Sequence, residues 1–157
     1  SKKYIDHKDF IAVNNKINEI ITKYDPSINI KRTGFRYINQ ISIDEENPLA
    51  LNGYINKLLT ANLKFNPLNN DIIRSMTSTE YTIDEGVYLK FQYGCFNKQY
   101  PSKPMKKEFI LDYDCYSSNY TKLSESVAFI DKYNKIMAKY FESSIEDKLR
   151  SILHEEK

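Results

Sequence analysis

The chain has 157 residues, 41% of them hydrophobic, with 23 Lys and Arg against 21 Asp and Glu for a formal charge of +2. That size fits one globular domain with one core, and so close a balance supplies no whole-molecule field to draw the protein onto nucleic acid or an anionic membrane. No apolar run reaches the length of a membrane span and no basic-then-apolar signal segment opens the chain, so a cytoplasmic protein without membrane partners is expected.

The sequence begins at Ser1 without a methionine, which predicts a processed, trimmed or engineered fragment. Thirteen tyrosines, with abundant Ile, Lys and Asn, match A/T-rich codon usage. Tyrosine clusters therefore carry little functional weight.

From Asp9 to Tyr24, the residues Phe10, Val13, Ile17, Ile20, Ile21 and Tyr24 recur at helical spacing and predict an amphipathic helix. Asp6 is its expected N-cap, and Asp25-Pro26 ends it because a residue before proline avoids the helical region. A long strand should follow over 28–43, INIKRTGFRYINQISI. Ile28 and Ile30 share one parity, whereas Phe35, Tyr37, Ile41 and Ile43 share the other. A strand cannot bury both sets on one face without a slip, and a glycine bulge at Gly34 is the expected device. The alternative is a strand apolar on both sides.

Between Asn47-Pro48 and Asn66 the pattern weakens. Leu49, Tyr54, Ile55, Leu58 and Leu59 suggest a short helix, and Asn62 to Phe65 the entry to a strand. Asn66-Pro67-Leu68-Asn69-Asn70 is a turn by composition. Three strand candidates follow: Ile72 to Ile83, Val87 to Cys95 and Phe109 to Cys115, the first two joined by a hairpin at Asp84-Glu85-Gly86. Pro101, Pro104 and several lysines mark 97–107 as an exposed loop.

The C-terminal third reads as helix. Val127, Ile130, Tyr133, Met137, Tyr140 and Phe141 form a stripe, with Ser124 or Ser126 available as cap. Ser143-x-x-Glu146 is a capping-box pattern for a second helix burying Ile145, Leu149 and Ile152. This order predicts a single α+β domain over 1–157 with a mainly antiparallel sheet of about four to five strands. An N-terminal helix and a long C-terminal helical segment should pack on one sheet face. Cys95 and Cys115 fall in strands without a C-x-x-C spacing and are expected as reduced core thiols.

Three blocks carry a family resemblance. Arg32-Thr33-Gly34-Phe35-Arg36-Tyr37-Ile38-Asn39-Gln40-Ile41 resembles the R-x-G-[hydrophobic]-R-Y-I-N-x-I signature of a sporadically distributed prokaryotic family designated TIGR04255. Phe109-Ile110-Leu111-Asp112-Tyr113-Asp114 is similar to its apolar strand ending in aspartate. The run from Tyr140 to Leu149 resembles its closing F-E-x-x-I-x-x-x-L pattern. The resemblance implies that the chain is the larger C-terminal part of a longer protein and draws attention to Arg32, Arg36 and Asn39. It implies no reaction, ligand or catalytic residue. The family often has a histidine before the closing block, where this chain has Tyr133-Asn134. No histidine role carries over.

Arg32 and Arg36 could form an anion or acidic-partner site, since the guanidinium fork suits carboxylates and phosphates. The plainer expectation is that they pair across the sheet with Asp112 and Asp114, and that Asn39 satisfies a loop or helix end. Asp112 and Asp114 at i, i+2 could hold a divalent cation or act as acid and base. The sequence names no further ligands, so no metal or cofactor is expected. Two histidines, four glycines and the absence of a G-x-S-x-G run leave no zinc spacing, phosphate loop or nucleophile elbow.

Lys98, Tyr100, Lys103, Lys106 and Lys107 resemble, loosely, a basic-aromatic nucleic-acid loop, with a solvated hairpin loop as the alternative. The reading that follows is a non-enzymatic interaction or regulatory module that offers a sheet face or edge to a protein partner or to its own copy as a homodimer. The rivals are nucleic-acid binding through the lysine loop, and an enzyme or small-ligand receptor centred on Arg32, Arg36, Asp112 and Asp114.

Overall fold

A computed structural model describes residues 7–43, 49–103 and 108–155. It contains helix α1 (His7–Tyr24), the two-residue strand β1 (Asn29–Ile30), β2 (Thr33–Ile41), the single-turn helix α2 (Ala61–Lys64), β3 (Ser75–Asp84), β4 (Val87–Phe96), β5 (Glu108–Ser117) and the short β6 (Thr121–Lys122). A 3-10 turn (Leu123–Glu125) leads into α3 (Ser126–Ser144) and then α4 (Asp147–Glu155).

The main sheet has the order β2-β5-β4-β3, with every neighbouring pair antiparallel. β3, β4 and β5 form a meander because their connections are too short for crossovers, and β2 closes the far side of β5. This is the α+β domain that the residue pattern predicts. β4 alternates over its first half as expected, whereas in β5 Ile110 and Asp112 of the second face are buried as well. Val87, Leu89, Phe91, Phe109, Leu111, Tyr113 and Cys115 are buried on one face, together with Ile130, Tyr133 and Met137 of α3. Burying large side chains of this kind contributes about 1.5–3 kcal/mol each, the dominant favourable contribution to such a core.

The bulge expected at Gly34 is absent. β2 pairs with β5 in unbroken register from Thr33↔Ser117 to Ile41↔Phe109. The chain instead breaks at Lys31-Arg32, and β1 leaves to pair with β6 in a separate two-stranded sheet. The two apolar parities are thus satisfied by two sheets rather than by a phase change in one. Gly34 has a different use. A Cβ there would stand 2.9 Å from a guanidinium nitrogen of Arg32 and 3.3 Å from Cβ of Tyr116, so glycine leaves room for the Arg32 side chain.

Other expectations are corrected. Residues 49–59 form turns, not a helix, anchored by buried Leu51 and Ile55. Residues 62–65, expected to enter a strand, lie in and just after α2. β3 begins at Ser75, beyond Ile72 and Ile73. Neither Ser124 nor Ser126 caps α3: Ser126 is already helical, and its hydroxyl donates to the Leu123 carbonyl at 2.7 Å.

The capping box does not close either. The Ser143 hydroxyl donates back to the Lys139 carbonyl, and the Glu146 carboxylate accepts from the Gly53 amide at 2.9 Å. A tertiary partner has displaced the local one. Around this joint, Asn56 N–H donates to Ser144, Glu146 N–H to Tyr54 and Lys148 N–H to Gly53, each at 2.9 Å. Ile145 and Leu149 are buried, but Ile152 is not. Asp6, Asn47-Pro48, Pro104, Lys106 and Lys107 lie outside the described residues.

Candidate functional site

The outward face of the sheet is a charge lattice. Arg32 donates to Asp114 at 3.2 Å. Arg36 holds Asp112 with two hydrogen bonds, 2.8 Å from Nε to Oδ1 and 2.6 Å from a terminal nitrogen to Oδ2. The Arg32 guanidinium also lies 4.4 Å from the centre of the Tyr116 ring, and Tyr116 in turn donates its hydroxyl to Glu80. Further along, Gln40 and Ser42 donate to Glu108, which also faces Lys98. Strand register generates this pattern: Arg36, Asp114, Lys90 and Glu80 stand side by side across the four strands, with signs alternating. The hydrogen bond to Asp112 raises the Arg36 pKa further.

Asn39 does not belong to this lattice. It projects from the other face of β2, where its amide donates to the Leu111 carbonyl at 3.3 Å. There it lines a small cavity of about 180 Å³ with Tyr37, Tyr113, Asn134, Met137 and Phe141. The four charged candidates therefore lie on an open face and pair with one another, whereas Asn39 faces the core. They do not converge in a cleft. Among the described residues, no cluster of three His, Cys, Asp or Glu is placed to hold a metal ion.

The described residues of the lysine loop are also engaged. Lys103 donates to Asp71 at 2.6 Å, a bond that raises its pKa. Lys98 lies 4.0 Å from Glu108, and the Tyr100 ring takes the Arg74 guanidinium at 5.4 Å from its centre. Each described lysine is thus matched by a carboxylate. Cys95 and Cys115 are both buried, and burial pushes the Cys115 thiol up to about 11.

The unexpected surface is on α1. This helix has no buried residue. It turns His7, Ile11, Asn14, Asn18 and Thr22 towards the body. Asn18 fastens it there, its amide donating to the Leu123 carbonyl at 3.1 Å and to the Ser126 hydroxyl at 2.8 Å. The apolar stripe lies roughly 110° away around the helix axis, at 100° per residue. Its side chains are exposed, from 36% for Ile21 to 89% for Tyr24. Phe10 stacks on Phe35 of β2 at 5.2 Å between ring centres. Sequence reasoning finds the stripe but not its direction. The residues that could have given the direction are Asn14, Asn18 and Thr22, a second stripe at helical spacing.

Comparison of the chain with protein-family models, with curated proteins and with solved structures finds no match.

Proposed function

We propose that this domain is a non-enzymatic protein-interaction module whose docking element is α1. One observation carries the reading: the helix turns His7, Ile11, Asn14, Asn18 and Thr22 to its own body and leaves Val13, Ile17, Ile20, Ile21 and Tyr24 open to solvent. An amphipathic helix normally buries its apolar face, and a contiguous exposed patch of that kind marks an interaction surface. Two cysteines buried within strands of the core fit a cytoplasmic setting. Among the described residues, no helix is long and apolar enough to cross a membrane.

Membership of TIGR04255 forms part of the proposal. It is supported by where its three blocks fall: on β2, on the adjacent β5, and across the α3–α4 joint. The Arg36–Asp112 pair links the first block to the second. The rival readings gain less support, because the sheet-face charges neutralise one another and the described lysines of 97–103 face carboxylates.

A photo-crosslinking residue at Ile17 or Ile20, introduced into the chain in cells, should yield a discrete protein adduct. Changing Val13 and Tyr24 to lysine should abolish it, and the same probe at Gln92 on the outward sheet face should give none. Adducts from Gln92 with none from α1 would overturn the reading.

A further inference from the structure

Resting on that reading, we propose that the occupant of the α1 stripe is a second copy of this chain, its α1 packed antiparallel to the first.

The spacing is the first argument. Phe10, Val13, Ile17, Ile20 and Tyr24 succeed one another at intervals of 3, 4, 3 and 4 residues, the a and d positions of a two-helix seam. With Ile21 beside them the stripe is broad enough to meet a second helix along its length.

Area is the second. The six exposed side chains of the stripe together leave on the order of 500–600 Å² of apolar surface in water, taking about 150–250 Å² for a fully exposed large side chain. Two such faces bury about 1,000–1,200 Å², the lower bound for a specific interface before any polar rim is added. An interface at this lower end of the size range belongs to a reversible dimer.

Charge sets the direction. The first turn of α1 carries Asp9 and its last turn Lys23. An antiparallel copy brings each Lys23 end against an Asp9 end and opposes the two helix dipoles. Opposed dipoles favour this antiparallel pairing, which closes as a two-fold dimer.

Sedimentation equilibrium of the whole chain tests this. The expected result is a concentration-dependent rise from 18.5 kDa to twice that mass. Ile17→Glu with Ile20→Glu should hold the chain at the monomer mass. The melting temperature should be retained, because neither residue is buried. Ile17→Cys should self-link through a short thiol crosslinker, with Cys95 and Cys115 shielded in the core, whereas Tyr24→Cys should not. A monomer at every concentration, a dimer indifferent to the double substitution, or equal self-linking at positions 13, 17, 20 and 24 would each overturn the proposal. A strict monomer that still gives a photo-adduct to another protein from Ile17 would leave the interaction reading standing and remove only the self-association.

Discussion

Arg36 stands directly opposite Asp114 across the β2–β5 ladder, yet gives its guanidinium to Asp112, two residues along and diagonal to it. Asp114 is taken by Arg32, from beyond the end of the strand. The pairs are therefore offset by one step from the register that brings them together. The two partners of the closer pair are also unequal: the Asp112 side chain is 10% exposed and that of Arg36 is 51% exposed.

That inequality fixes the direction of the first expectation. Arg36→Ala strands a largely buried carboxylate and should cost about 2–3 kcal/mol, whereas Asp112→Ala frees an arginine that water can solvate and should cost about 1 kcal/mol. Urea denaturation of both singles and the double variant provides the measurement. Equal losses from the two single variants would contradict the assignment.

Two buried tyrosines should respond in opposite ways to losing their hydroxyls. Tyr113 donates to the Ser144 hydroxyl at 2.9 Å, and Ser144 donates to the Tyr140 carbonyl at 2.7 Å. The Tyr133 hydroxyl lies towards Ser117 but short of hydrogen-bond geometry, and the Thr33 hydroxyl is likewise buried without a partner. Tyr113→Phe should destabilise by about 1 kcal/mol and Ser144→Ala by about 1–3 kcal/mol, since the latter leaves the Tyr113 hydroxyl unpaired. Tyr133→Phe and Thr33→Val should stay within about 0.5 kcal/mol of the parent or exceed it. Thermal melts of the four variants decide the ordering.

Gly94 sits within β4 at φ +139, where a Cβ would come 2.0 Å from the Ser75 carbonyl oxygen of the neighbouring strand. Gly94→Ala should therefore cost about 2–4 kcal/mol through strain and lost β3–β4 pairing. Gly86, at φ +67 in the turn that joins those strands, is an informative comparison. There an added Cβ meets only the Asn119 side chain, which can move, so the loss should be smaller. Chemical denaturation of both variants compares the two positions.

Alkali should loosen the core from within. Burial holds the Cys115 thiol protonated from its ordinary 9.0 up to about 11 and pushes Tyr113 in the same direction. The unfolded chain then releases its thiol proton first as pH rises. The protonated-core contribution is whole below about pH 9 and is lost progressively towards about pH 11, a decline on the order of 2 kcal/mol for the thiol. Melting temperature against pH should show this slope, and Cys115→Ala should flatten it. Iodoacetamide should leave both cysteines of the folded protein unmodified at neutral pH.

Much of the scaffold was legible in the residues because one face of β4 and β5 carries a regular apolar series, Val87, Leu89 and Phe91 against Cys115, Tyr113, Leu111 and Phe109, at a period of two. The α3 stripe was legible for the same reason at helical period. Reading failed where a distant segment decided the outcome. Glu146 abandons a local capping role for the Gly53 amide, and the parity change near Gly34 is absorbed by a second sheet contributed by Thr121-Lys122. Arg32, Arg36, Asp112 and Asp114 could be named from sequence, but Asn39 was grouped with them although strand parity turns it to the other face. Which stripe of α1 meets the body depended on the Leu123 carbonyl and Ser126 hydroxyl, some 105 residues away.

The stitching of 53–56 to the α3–α4 joint has a consequence for how the molecule comes apart. Gly53, Tyr54 and Asn56 are latched by backbone to Ser144, Glu146 and Lys148, so the tail cannot peel off without releasing the early turn. A protease nick after Ser144 should make the segment near Leu51 cleavable as well, the two segments failing as one foldon.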